Sequence, residues 1–529
     1  MKNFYITTPI YYASGRLHIG SACTTCFCDS YARYKKQLGY DTRFLTGMDE
    51  HGQKVEIKAE EKGISPQEYV DILAERAKKL WKYLECREDY FVRTTDQNHI
   101  EQIQKVFEMM QENGDIYLGN YEGWYCVSCE TFFTATEVGA EHVCPSCGKK
   151  VSIVSEESYF FRLSKYAKPL LDYIDSHPLF IQPESRKNEV ISFIKQGLED
   201  LSISRSSFSW GIPIKANPKH VVYVWLDALF NYLTSLGFLE DDKSLYDKYW
   251  LEGEVVHVVA KDILRFHAIF WPAFLMSINV PVNFTLFAHG WYLMMGDKMS
   301  KSKGNVIYPE TLVKRYGLDS FRYYILRELP FSDDTVCTPE DYISRYNNDL
   351  VNDFGNLVSR TFSMADKYFQ GHVEKEETDN PYLLDLKKTA LETISLYHDY
   401  MKEFKVNKAL QEINKLVSRT NKVIDETLPW TLFKEGQTKE LKAVIYYLLE
   451  AIRIESVLYV PYLIETAPII FAHLNTTKEE ENLINLSFSN KNEYNVVKLE
   501  GPLFPRENDP DKAKEEIIKD MEYELSLGA

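Results

Sequence analysis

Four cysteines carry the clearest chemistry in this chain. Cys126 and Cys129 form one CxxC unit and Cys144 and Cys147 another, with 14 residues between the pairs. Thiolates in two such turns complete a tetrahedral all-sulfur zinc site without help from elsewhere; four free thiols is the competing reading. A second group, Ser14-Gly15-Arg16-Leu17-His18-Ile19-Gly20-Ser21, lies where a strand-like run gives way to a helical one. Two glycines entering a helix expose backbone N–H groups at its positive end, a setting that suits phosphate, and a His and an Arg could add donors. An ordinary glycine turn would look the same. A third group, Lys298-Met299-Ser300-Lys301-Ser302-Lys303-Gly304-Asn305, sets cations on a short polar loop. That is either a mobile clamp for polyphosphate or a solvated charged loop. Neither GxGxxG nor GxxxxGK[ST] occurs, so a dinucleotide fold and a P-loop are both unsupported. Cys23, Cys26 and Cys28 crowd one segment. Helical spacing puts only the first two on one face, and core packing is expected over a second metal.

These groups need elements to hold them. Residues 3–12 (NFYITTPIYY) read as a strand, an amphipathic run from about Cys23 to Leu38 as a helix stopped at Gly39, and TRFLTG as a second strand before DEHG and another helix. Strand, helix, strand, helix is the opening of a doubly wound, Rossmann-type α/β domain. An aromatic segment with the CxxC pairs interrupts it near 116. The strand-like runs 220–226, 254–260 and 284–288 are expected to be the second half of the same sheet. From about 345 the pattern is helical almost throughout, as in a helix bundle.

At 529 residues the chain needs three or four domains. It is 45% apolar and 26% charged, and no stretch approaches the roughly 20 apolar residues of a membrane span. No cleaved signal is expected at its N-terminus, and the cytoplasm is the expected compartment. The formal charge of −17 disfavours non-specific binding to nucleic acid but leaves room for a local basic RNA site. Nine cysteines in so long a chain are no secreted disulfide framework.

Together, His18-Ile19-Gly20 and Lys298-Met299-Ser300-Lys301-Ser302 resemble the paired motifs of class I aminoacyl-tRNA synthetases. The segments TTPIYY, FLTGMDEHGQK, ESYFFRLSKY, KHVVYVWLDAL, RFHAIFWP and FAHGW are similar to the methionyl branch, and the similarity runs to about residue 505. The resemblance implies activation of L-methionine by ATP, with Mg2+, and transfer to tRNA(Met). It implies His18, Lys298 and Lys301 in catalysis, and Ser14, Gly20, Ser21, Asp262 and Lys301 around ATP. The methionine pocket would be Ile10, Tyr12, Trp225, Ala228, Tyr232, Ile263, Phe266, His267 and Trp271, with Asp49 on the amino group and Arg205 near the carboxylate. An aromatic cage suits a polarizable thioether, and Tyr232 and His267 are expected as donors to the sulfur. The paired cysteines would hold one structural Zn2+. Asn356 and Arg360, four apart on one helix face, would bond anticodon bases while Trp430 stacks on them.

The implied division is 1–115, the first half of the catalytic domain; 116–220, an inserted connective domain with the zinc knuckle; and 221–330, the second half with the lysine loop. After these come 331–490, the stem-contact region and anticodon bundle, and the tail 491–529. Ser21 departs from the family, which carries a second His there. A neutral hydroxyl stabilises a charged phosphate less than an imidazolium, so the expectation is either activation slower by one or two orders, about 1.4 kcal/mol per order, or a compensating cation. The stretch 116–220 is too short for the editing domain of leucyl, isoleucyl and valyl relatives. Nothing resembles the C-terminal dimerisation domain of many bacterial relatives, so a monomer is expected.

Overall fold

The computed structural model describes residues 2–127, 131–133, 135–145, 147–294, 297–298, 307–329, 331, 333–489 and 491–526. Contacts divide the chain into two units, Met1–Leu17 with Asp41–His289 and His18–Tyr40 with Gly290–Ala529.

The first unit is built on a seven-stranded sheet. Its order is Tyr11–Tyr12, Asp41–Asp49, Asn3–Thr7, Glu254–Ala260, Thr285–His289, Ile181–Gln182, with Tyr90–Arg93 also paired to Asp41–Asp49. Every pairing is parallel. Strands covered on both faces read as near-continuous apolar runs, as EVVHVVA at 254–260 and TLFAH at 285–289 do apart from polar end residues and His257. Two strand expectations need correction. The run 3–12 is not one strand: Pro9 has no N–H for a ladder, and strand structure stops at Thr7 and resumes at Tyr11. The run 220–226 is not part of the main sheet. Asn217–Val222 pairs antiparallel with Ser204–Arg205 and Pro213–Ile214, and Val224–Leu229 is helical. The opposite surprise is Ile181–Gln182, which lies within the stretch read as inserted yet forms an edge strand of the main sheet. A long antiparallel hairpin, Ile116–Cys126 with Ser152–Phe161, carries the cysteine segment at its far end.

The second unit is mainly helical. Its first helix, Ile19–Gln37, was expected to be amphipathic from about Cys23, but it begins four residues earlier and is buried over Ala22–Ala32 without a break. A helix covered all round must pair its polar groups. Asp29 accepts from Arg33 Nε at 2.7 Å and from the fully buried Arg322 Nη2 at 2.6 Å, while Ser30 Oγ donates to the carbonyl of Pro461 at 2.7 Å. Cys23, Cys26 and Cys28 are all buried. The bundle comprises Asn356–Phe369, Pro381–Lys402, Val406–Thr427, Thr438–Tyr459 and Thr466–Leu474. Thr438–Tyr459 runs buried from Ala443 to Tyr459 and forms its axis. The final helix is Pro510–Ser526.

Candidate active site

In an open parallel sheet, ligands bind beyond the carboxyl ends of the strands where the strand order reverses. Here that point lies between Asn3–Thr7 and Glu254–Ala260, which pair in register from Phe4–Glu254 to Thr7–His257. The residues just past these strand ends are Ile10 and Tyr12 on one side and Ile263, Phe266 and His267 on the other. The latter stand on a π-helical turn, Phe266–Phe270, that runs into Trp271–Ser277. Such turns re-aim side chains and recur at functional sites. Trp225, on the helix Val224–Leu229 with Ala228, stacks flat on Phe266 at 3.7 Å between centroids and 5° between planes. His267 meets Trp225 edge-on at 6.1 Å, and Trp271 packs against Tyr232 at 5.8 Å.

Hydrogen bonding settles the protons in this cage. A carbonyl only accepts, so His267 Nδ1 donates to the carbonyl of Ile263 at 2.9 Å. The neutral ring therefore accepts at Nε2, and the Tyr232 hydroxyl donates to it at 2.8 Å. Both side chains expected as donors to a sulfur thus spend their protons on other partners here. Burial keeps His267 neutral by pushing its pKa down to about 4. Beneath it, Trp271 Nε1 donates to His257 Nε2 at 3.3 Å, so His257 Nδ1 carries the proton and donates to Thr7 Oγ1 at 2.8 Å. The His257 ring also stacks on Tyr232 at 4.0 Å. Burial and the neighbouring His267 hold His257 well below the usual imidazole range. Neither His257 nor Thr7 emerges from the sequence reading; the available signal was a lone histidine in an otherwise apolar strand. The same holds for Asp227, whose carboxylate takes hydrogen bonds at 2.7 Å from His51 Nδ1 and His99 Nε2. Burial would raise its pKa, but the two imidazoles hold it below the ordinary value.

Asp49 is buried at the end of its strand, opposite Tyr12, and its carbonyl accepts from the Ala13 N–H at 2.8 Å. Arg205 is buried on the small sheet, where Nη1 donates to the Ser204 carbonyl at 2.7 Å and to Ser202 Oγ at 2.9 Å; its guanidinium lies 4.6 Å from the Tyr223 ring. Ser14 follows in the loop after Tyr12, its N–H bonded to the Tyr12 carbonyl at 2.8 Å. Asp262 is exposed on the turn Lys261–Ile263.

In the second unit, His18 caps the helix Ile19–Gln37. Its Nδ1 accepts from the Gly20 N–H at 3.0 Å, which leaves Nε2 as the nitrogen that carries the proton. A Cβ on Gly20 would come within 2.8 Å of His18 Cε1, so only glycine admits this ring position. The Ile19 N–H is also committed, to the carbonyl of Ile307 at 3.0 Å. The helix start therefore offers fewer open N–H groups than two glycines led us to expect, and the imidazole stands in for them. Ser21 lies in the first turn, its carbonyl accepting from Thr25 Oγ1 at 3.1 Å. Lys298 ends a two-residue strand paired with Tyr292–Met294; Lys301 lies outside the described residues.

The Sγ atoms of Cys126, Cys144 and Cys147 all lie within 4.8 Å of one another, with Cys126 and Cys147 at 3.6 Å. A zinc–sulfur bond of about 2.3 Å in a tetrahedron sets sulfurs roughly 3.8 Å apart, so the three fit one ion. Cys129 lies outside the described residues. Among the described residues this is the one such group; Cys23, Cys26 and Cys28 are fully buried. In the bundle, Asn356 is exposed and Arg360 partly so, its guanidinium 3.8 Å from Asp425. Trp430 is exposed on the helix Pro429–Lys434.

Residues 4–153 and 140–362 match the family model of class I tRNA synthetases (M), and 375–489 match that of the anticodon-binding domain of methionyl tRNA ligase. The chain is 51% identical over 519 residues to the methionine–tRNA ligase of Enterococcus faecalis, covering 96% of this chain and 77% of that one. It is 50% identical over 522 residues to that of Bacillus subtilis, covering 96% and 78%. Among solved structures, Mycobacterium tuberculosis methionyl-tRNA synthetase in complex with methionyl-adenylate superimposes with a TM-score of 0.91 at 37% identity, over 96% of this chain and all of that one. The chain thus belongs to the methionyl-tRNA synthetases, class I enzymes that ligate methionine to tRNA.

Proposed function

We propose that this ligase seats the methionine side chain in the aromatic cage at the switch point of its parallel sheet, with Asp49 on the amino group and Arg205 near the carboxylate. The observation that carries the reading is the flat Trp225–Phe266 pair beside Tyr232 and His267. Polarizable rings on a buried neutral wall suit a thioether, which is soft, apolar and uncharged. That the M. tuberculosis relative binds methionyl-adenylate supports it.

A methionine carboxylate oxygen attacks the α-phosphorus of ATP, and the bond to the bridging oxygen breaks to release pyrophosphate. A ribose hydroxyl of tRNA(Met) then attacks the adenylate carbonyl and AMP leaves. No covalent enzyme intermediate is required, so the protein supplies positioning and charge. Ser14, Gly20, Ser21 and Asp262 are assigned to ATP, and His18 Nε2–H, Lys298 and Lys301 to the charge that develops on its phosphates. Mg2+ bound with ATP would neutralise part of the polyphosphate charge. Cys126, Cys129, Cys144 and Cys147 would hold one Zn2+, which supplies folding energy to the hairpin end and takes no part in the reaction. Asn356, Arg360 and Trp430 are assigned to the anticodon. The stretch 116–220 is read as the connective insertion, with Ile181–Gln182 returned to the main sheet. The cytoplasm is the compartment we propose; among the described residues no helix is long and apolar enough to cross a membrane.

The test is ATP–pyrophosphate exchange by zinc-loaded protein with each of the twenty amino acids. Exchange with methionine alone is expected. Silence with all twenty from folded protein would favour a non-catalytic paralogue, a reading to which only Ser21 points.

A further inference from the structure

The bundle leaves three large apolar side chains of one short segment in solvent. Leu428, Trp430 and Phe433 are 42%, 46% and 52% exposed, on the turn after Val406–Thr427 and the helix Pro429–Lys434. Trp430 and Phe433 are three residues apart and so share a face. Phe433 is held in place: its ring lies on that of Tyr368 at 4.6 Å between centroids and 28° between planes. The Lys367 ammonium stands 5.2 Å from the Tyr368 centroid. Tyr368 belongs to the same helix as Asn356 and Arg360, eight residues beyond Arg360 and so about 12 Å along the axis. This helix therefore carries Asn356 and Arg360 in its first turns and, in its last, the partner ring that braces Phe433 with a cation beside it.

Exposed rings beside cations are what single-stranded RNA uses, because every base has a π-face and every linkage a charge. The segment falls within residues 375–489, which match the anticodon-binding model. We propose that Phe433, braced by Tyr368 and flanked by Lys367, is a second stacking plate, taking an anticodon-loop nucleotide adjacent to the one on Trp430. This rests on the reading of Trp430 as the first plate.

The test is aminoacylation of tRNA(Met) by the full chain over a range of tRNA concentrations. Phe433→Ala should raise the KM for tRNA about tenfold, the scale of one lost base stack, with little change in kcat. Phe433→Tyr, which keeps a π-face, should hold the parent KM. Phe433→Leu, apolar but without a ring, should follow alanine. A parent KM in Phe433→Leu would make the residue mere apolar cover for Tyr368 or a contact for another protein, and would overturn the plate. A parent KM in Phe433→Ala together with a raised one in Trp430→Ala would overturn the second plate and keep the first. A parent KM in Trp430→Ala would overturn both.

Discussion

His267 shows how one polar side chain can line an apolar pocket without charging it. Its two nitrogens are committed, one donating and one accepting, and burial lowers its pKa from 6.5 to about 4. The unfolded chain therefore takes up a proton between those values that the folded one refuses. The resulting stability is fully present above 6.5 and is lost as pH falls through about 4, on the order of 3 kcal/mol in all. His257 acts in the same direction. The melting temperature should fall between pH 7 and pH 5, and His267→Gln should flatten that slope; an unchanged slope would remove His267 as a contributor. Ser21 poses the opposite problem, a place where charge is missing. Ser21→His is expected to speed adenylate formation about tenfold or more, read by pre-steady-state pyrophosphate release. An equal rate would mean another cation already supplies that charge.

At the scale of elements, two attachments decide whether the catalytic parts stay in position. The helix capped by His18 is tied to its own unit by Asp29, which holds both Arg33 and the buried Arg322. Asp29→Asn removes the charge but not the shape and strands a buried guanidinium, a loss of about 3–5 kcal/mol. Thermal unfolding should show it, and an unshifted transition would mean that the bond network around Arg322 is self-sufficient. The cysteine hairpin would be held by the zinc ion we propose for its four thiolates. Cys126→Ser should drop zinc from one ion per chain to none by elemental analysis and make the segment between Ile116 and Phe161 more sensitive to protease, with activity lowered in consequence. Zinc content equal to the parent's would end the four-thiolate assignment.

Across the whole molecule, what could be read in advance was what short range determines. The runs 254–260 and 285–289 are largely apolar and became neighbouring parallel strands. The run 220–226 looked much the same, yet its start joined another sheet and its end turned helical, because periodicity reports that an ordered apolar run forms and not what it meets. The helix 19–37 was misread for a related reason. Its Thr, Ser and Asp residues suggest a wet face, but the partner that lets Asp29 be buried is 293 residues away. At the site, motif resemblance named Trp225, Tyr232, Phe266, His267 and Trp271, which pack together, whereas Thr7, His257 and Asp227 stayed hidden because their partners are distant and their neighbours apolar.

The parallel pairing of Thr7 with His257 has a consequence for how the chain is made. These residues are 250 apart in sequence, and a ribosome adding about 5–20 residues per second needs roughly 10–50 s to travel between them. Throughout that interval the nascent strand Asn3–Thr7 has one edge ready and no neighbour for it, an apolar ladder open to any passing strand. Each new molecule of an enzyme that loads the translation machinery thus depends on that machinery's own tempo, and on whatever shelters the emerging chain until its missing strand arrives.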